Sequence, residues 1–164
     1  MRDAFAIRLA TVADAPVLAR HRAEMFRDMG DLAEELYASL VDAARRDLAD
    51  WLARGQYVGW VASAVERPHE IVAGAGLQLR PLLPRPDPAR RPLRQGLEAI
   101  VLNVFTERAW RRHGVARGLM ERAIAWAREH GVVRLVLHAS TEGRALYEQL
   151  GFVATNEMRY EGDL

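Results

Sequence analysis

Residues 111–119, "RRHGVARGL", gather Arg111, Arg112 and Arg117 around His113 and Gly114 at the point where a helical pattern begins. The chemistry that suits such a cluster is the holding of an anion. The first turn of a helix presents N–H groups without partners and the positive end of the helix dipole. Gly114 lets the main chain come close to a ligand, Ala116 keeps the first turn small, and the three guanidinium groups can add charge-assisted hydrogen bonds to phosphate oxygens. The arrangement therefore points to a diphosphate. The pattern R-x-x-G-x-A is short, so its weight depends on the elements around it.

Other chemistries fail on composition or spacing. The 164 residues contain no cysteine, which removes thiolate nucleophiles, disulfides and cysteine-ligated metals. All 23 basic residues are arginine; without lysine there is no Schiff base and no phosphate-loop nucleotide site of the lysine type. His21, His69, His113, His130 and His138 form no H-E-x-x-H pair, so no metal is expected, and no G-x-S-x-G surrounds Ser39, Ser63 or Ser140. A formal net charge of +1 gives no basic field to draw in nucleic acid or anionic lipid. No apolar run approaches the roughly 20 residues that span a bilayer, and "MRDAFAIRLA" lacks a signal-peptide core; the chain reads as cytoplasmic.

The elements that must position the arginine cluster follow from periodicity. Ala6 to Leu9 reads as a strand, followed by a helix that starts near Thr11 with Asp14 and Pro16 in its first turn. A second helix is expected from Leu32 to Leu52, then two antiparallel strands, "QYVGWVASAVE" and "EIVAGAGLQLR", joined by "RPH". Five of the seven prolines fall between Pro81 and Pro92, a segment read as a long connecting loop rather than a strand. "LEAIVLNVFTE" reads as a strand buried on both faces, followed by a helix from Val115 that stops at Gly131, the strand "VVRLVLHAS", the short helix "EGRALYEQL" and a last strand "FVATNEMRY". The order βααβββαβαβ over residues 1–164 forms one domain of the α/β class (α+β in some schemes), with one parallel crossover between Leu97 and Ala139.

The strand "IVLNVFT", the loop "RAWRRHGVA", the helix to Gly131, the strand "VVRLVLHAS" and "LYEQLGF" together resemble the GCN5-related N-acetyltransferases in order and spacing, closely over residues 97–158. The resemblance implies a mixed, mostly antiparallel central sheet flanked by helices, and transfer of acetyl from acetyl-CoA to an amine without a metal. It implies that Val104, Phe105 and Thr106 bind the pantetheine arm in a gap between splayed strands, and that Arg111, Arg112, His113, Gly114, Val115, Ala116 and Arg117 line the pyrophosphate. Tyr147 matches the family's general acid; a phenol with pKa about 10 can give a proton to a leaving thiolate. Ser140 stands where the family often has asparagine and is expected to contact the arm, and Gly143 replaces the usual alanine, which should soften the start of its helix.

A general base is harder to place. Some relatives carry a glutamate where this chain has Ile100; Glu98, two residues earlier on the same face of a regular strand, could accept the amine's proton or could be a solvent-facing residue. His21, Glu24 and Asp28 follow three-four spacing on the first helix and read as a solvated face, and Trp110 as packed against the core. The acceptor is expected to be a small-molecule or peptide amine, with no nucleic acid or membrane partner and a possible homodimer. Two alternatives stay open: a catalytically silent acetyl-CoA sensor, and a regulatory module that lays the arginine-flanked helix on nucleic acid. The mixed signs of Arg117, Glu121, Arg122, Arg128 and Glu129 disfavour the second.

Overall fold

A computed structural model describes residues 4–87 and 89–163; Pro88 and the side chains of Arg90 and Arg91 lie outside the described parts. The first strand, β1 (Phe5–Leu9), leads through a 3-10 turn into α1 (Ala15–Met29). The junction is set by Asp14, which accepts from the Thr11 amide at 2.8 Å and takes both guanidinium arms of Arg8 at 2.8 and 2.9 Å. This ties the strand end to the helix start and holds the Asp14 carboxyl below its ordinary range, mainly through Arg8. After α1 a 3-10 turn at Glu34–Leu36 precedes α2 (Tyr37–Arg54), so the second regular helix starts later than the Leu32 expected.

The sheet runs β1, β2 (Tyr57–Ala64), β3 (Arg67–Asp87), β4 (Arg90–Thr106), β5 (Val132–Val136) in spatial order, antiparallel except for the parallel pair β4–β5. That pair brackets α3 (Val115–Glu129), as the single crossover required. The short α4 (Arg144–Gln149) follows. Strand alternation divides the core into two layers. On one face, Trp60, Ala62, Ala73, Ala75 and Ala99 receive Leu119, Met120 and Ala123 of α3. On the other, Tyr57 and Val61 receive Leu18 and Ala19 of α1 with Ala44 and Leu48 of α2. Small residues in β3 allow close contact; at Gly76 even a methyl would fall 2.0 Å from the Tyr57 ring.

Two expectations are corrected. The proline segment is not a loop: β3 and β4 continue as a two-stranded arm, with Arg85 opposite Arg94 and Asp87 opposite Arg90. Prolines are tolerated because β2 ends at Tyr57↔Gln78, so beyond that point one side of β3 faces no strand, and two irregularities in the register absorb the rest. Second, Phe152–Tyr160 has no strand assignment. Its alternating positions mix Phe152 and Met158 with Asn156, so neither set forms an apolar face; Phe152 packs on the α3-side core, whereas Val153 and Met158 are 79% and 94% exposed.

Candidate active site

The geometry of interest begins where β4 and β5 part. Their register runs from Leu97↔Val132 to Ile100↔Val136 and stops. From Val101 to Thr106, β4 has β3 on one side and no strand on the other, which leaves main-chain groups along a gap able to pair with an extended, amide-bearing arm. In the same stretch β4 bulges: Gly76 faces Leu102 but Gly74 faces Phe105, so one extra residue is inserted, and Asn103 takes φ 57. The bulge sends two successive residues to the α1 side. Leu102 joins the core there, and the Asn103 amide donates to the Leu18 carbonyl at 3.3 Å. Val104 returns to the α3 side and Phe105 to the α1 side, while the hydroxyl oxygen of Thr106 is buried without a protein partner.

The gap leads to the loop that opened the sequence. A 3-10 turn at Arg108–Trp110 and two left-handed residues, Arg112 (φ 67) and Gly114 (φ 81), turn the chain into α3. The first intrahelical bond is Gly118 N–H to Gly114 C=O at 3.0 Å, and no side chain caps the end, so the amides of Val115, Ala116 and Arg117 are free to face a ligand. No atom lies within 4 Å of where a Gly114 side chain would start. Its left-handed backbone, rather than crowding, favours glycine there. These are the features a diphosphate-bearing coenzyme needs: donors at a helix start, an open approach, and a main-chain gap beside it.

The three arginines of the cluster divide their labour. Arg111 is engaged by the protein: Nε donates to the Thr106 carbonyl at 2.9 Å, an Nη donates to Asp28 of α1, and the guanidinium lies 5.7 Å from the Phe105 ring centre. Arg108 reaches the same Asp28 at 3.0 Å. Asp28 therefore ties the loop to α1, and its carboxyl is held below the usual range chiefly by Arg111. Arg112 has no hydrogen bond or ion pair among the described residues, and Arg117 bonds only the neutral Gln149, which leaves both charges available. His113 Nδ1 donates to the Arg111 carbonyl at 2.8 Å and stiffens the turn. Trp110 packs on the α3-side core.

Tyr147, on α4, lies half-buried against that same core, edge-on to Phe152 at 6.1 Å, and burial raises its phenol above the ordinary 10. It stays protonated at neutral pH. The hydroxyl of Ser140 accepts from the Gly143 amide at 3.1 Å, which closes the turn leading into α4. A methyl at Gly143 would lie 2.8 Å from the Tyr147 ring; glycine in place of alanine makes room for the phenol, an account the sequence alone did not supply.

Glu98 departs from the role expected of it. Its side chain is 1% exposed, and its two oxygens accept from Arg80 of β3 and Arg134 of β5, which flank it in the sheet. It sits where β4 and β5 are still paired, at the closed end of the gap. A carboxylate with both oxygens already accepting from guanidinium groups is not free to take an amine's proton, nor does it face solvent.

The expectation of a solvated face on the first helix is corrected at His21, whereas Glu24 is half-buried and Asp28 exposed. His21 is fully buried under Phe105, ring centres 5.0 Å apart, with neither ring nitrogen hydrogen-bonded. A Glu107 oxygen 3.7 Å away would favour the imidazolium, but that oxygen already meets Arg20 at 2.6 Å. Burial and the Arg20 charge prevail and push His21 down to about 3. Glu24 accepts from Tyr37 at 2.7 Å and pairs with Arg27 at 3.1 Å. Beside these residues a cleft of ≈ 540 Å³ opens, lined by Arg20, Glu24, Asp28, Ile71, Phe105 and Arg111 among others.

Sequence reasoning missed Arg22 and Asn103. Arg22 donates to the Asn103 side-chain oxygen at 2.9 Å across 81 residues of chain, with its guanidinium over Phe26 at 5.0 Å. The asparagine within a β-branched run was the only local signal.

Comparison with known proteins agrees with this geometry. The sequence profile of the acetyltransferase (GNAT) family matches residues 23–152. A GCN5-related N-acetyltransferase from Ralstonia eutropha JMP134 is 31% identical, with 95% of this chain and 97% of that one aligned at a TM-score of 0.80. A predicted acetyltransferase from Clostridium acetobutylicum, solved with acetyl-CoA, shares the fold at 24% identity and a TM-score of 0.78 over 96% of each chain. Glucosamine-6-phosphate N-acetyltransferase from Arabidopsis thaliana shares it at 14% identity and a TM-score of 0.67, over 96% of this chain and 97% of that one. No curated protein matches at a significant level. No helix among the described residues is long and apolar enough to cross a membrane. With the profile spanning most of its length and the gap, bulge and helix start in place, the chain belongs to the GNAT acetyltransferase family.

Proposed function

We propose that the protein transfers the acetyl group of acetyl-CoA directly to an amine of a small molecule or peptide. The observation that carries this reading is the continuity of the β4–β5 gap with the uncapped, glycine-led start of α3. Main-chain groups of Val104, Phe105 and Thr106 would pair with the arm, and the amides of Val115, Ala116 and Arg117, with the Arg112 and Arg117 side chains, would hold the diphosphate. Arg111, braced by Asp28 and Thr106, fixes the shape of the loop.

The coenzyme supplies an activated thioester. The amine attacks within a ternary complex, since the chain has no cysteine to carry an acetyl group. A C–N bond forms as the C–S bond breaks; the nitrogen loses its proton to water in the cleft, and the Tyr147 phenol gives its proton to the sulfur. Glu98 keeps β3, β4 and β5 in register at the closed end of the gap.

A thermal-shift comparison of acetyl-CoA with a short DNA duplex tests the reading. Acetyl-CoA at 100 times its dissociation constant should add about 2.7 kcal/mol of stability. Protection by DNA alone would refute it. Release of free CoA thiol across an amine panel then separates an enzyme from a silent coenzyme sensor.

A further inference from the structure

Three arginines of α1 are drawn partly out of water: Arg20, Arg22 and Arg27. Arg20 has Glu107 at 2.6 Å and Arg27 has Glu24 at 3.1 Å. Arg22 has no carboxylate among the described residues; its single hydrogen bond goes to the neutral Asn103 at 2.9 Å. Burial lowers its pKa, as expected of a cation stripped of solvent without a counter-charge. A guanidinium has five N–H groups in a planar fork. One is used on Asn103 and one face is covered by Phe26. The residue is only partly buried, and its other N–H groups have no protein acceptor among the described residues.

The position of this fork gives it meaning. Asn103 is the bulge residue of β4, at the point where the strand has lost β5 and its main chain borders the gap. On the acetyltransferase reading, on which this inference rests, the coenzyme enters the gap from the α3 loop, and an acceptor must come from the face that α1 overlooks. We propose that Arg22 binds a carboxylate of the acceptor, so that the amine to be acetylated belongs to an amino acid or another aminocarboxylate. One guanidinium edge matches one planar carboxylate in a two-point contact. A phosphate dianion would need a second cation, and the neighbouring Arg20 and Arg27 are already neutralised. The Asn103 oxygen fixes the fork beside the bulge, where β4 has no partner strand on its other side.

The test uses matched pairs of amines with the full chain and acetyl-CoA: α-amino acids, β-alanine and 4-aminobutyrate, each against its own carboxamide, read as CoA thiol release. The free acids should exceed their amides in kcat/KM by about 10- to 100-fold, the range of a charge-assisted contact. Arg22→Met should raise KM for the acids by a similar factor with kcat little changed, leave the amides unaffected and retain the acetyl-CoA thermal shift; Arg22→Lys should recover part of the loss. Amides equal to or better than acids in the wild-type protein would overturn the proposal whatever the variants do. So would bound acetyl-CoA with turnover of neither class. Absence of any acetyl-CoA binding would instead remove the acetyltransferase reading itself.

Discussion

The two faces of the sheet offer different kinds of contact to a ligand. On the α3 side the candidate coenzyme contacts are main-chain groups: the open edge of β4, the amides of residues 115–117, and a glycine in a left-handed conformation. On the α1 side the polar work falls to side chains that meet across the fold, Arg22 with Asn103, Arg111 and Arg108 with Asp28, His21 beneath Phe105. Main-chain recognition tolerates sequence change provided the backbone path is kept, whereas side-chain recognition changes with a single residue. A fold so divided can keep one coenzyme while its acceptor varies.

The division can be attacked experimentally, and the largest effect should come from the chemistry. Tyr147→Phe removes one oxygen without disturbing the gap; kcat should fall by about 10²-fold, the lower end of general-acid contributions, with acetyl-CoA affinity by titration unchanged. An unchanged kcat would take Tyr147 out of the reaction and leave the α3 side as a binding surface only.

His21 tests the α1 side through pH. Its folded pKa, about 3, lies below the ordinary 6.5, so the unfolded chain takes up a proton that the native one refuses. The corresponding stability is present above pH 6.5 and is lost as pH falls towards 3, reaching about 2 kcal/mol at pH 5. Denaturant titrations of wild type and His21→Leu between pH 8 and pH 4 should show a shallower acid loss in the variant. Parallel curves would mean that His21 is hydrated or paired in solution. The smallest effect is expected at Gly114→Ala, where a left-handed alanine costs about 1 kcal/mol; acetyl-CoA should bind about five- to tenfold more weakly by calorimetry, with kcat preserved. A larger loss in kcat than in affinity would show that the loop does more than hold.

What the sequence made legible follows the same line. The spacing from the β4 strand through Gly114 to α3 is local, and the periodicity of the strand and the helix on either side could be read directly; so could the glycine that the turn requires. The surroundings of Glu98, His21 and Asp28 are not legible locally because their partners lie on other elements: Arg134 is 36 residues from Glu98, and Arg111 is 83 residues from Asp28. The bulge at Asn103 depends on the register with β3, which no periodicity within β4 reveals. The proline segment failed for a different reason. The rule against proline in central strands was sound, but whether β3 is central changes along its length, and beyond Gln78 it is not.

The absence of lysine has a consequence for a member of an acetyltransferase family. Every described ion pair on this surface uses a guanidinium or an imidazole, neither of which forms a stable N-acetyl product under mild conditions. None of the 164 residues offers a side-chain amine to an acetyl donor, so stable N-acetylation of its own side chains is not expected on exposure to acetyl-CoA.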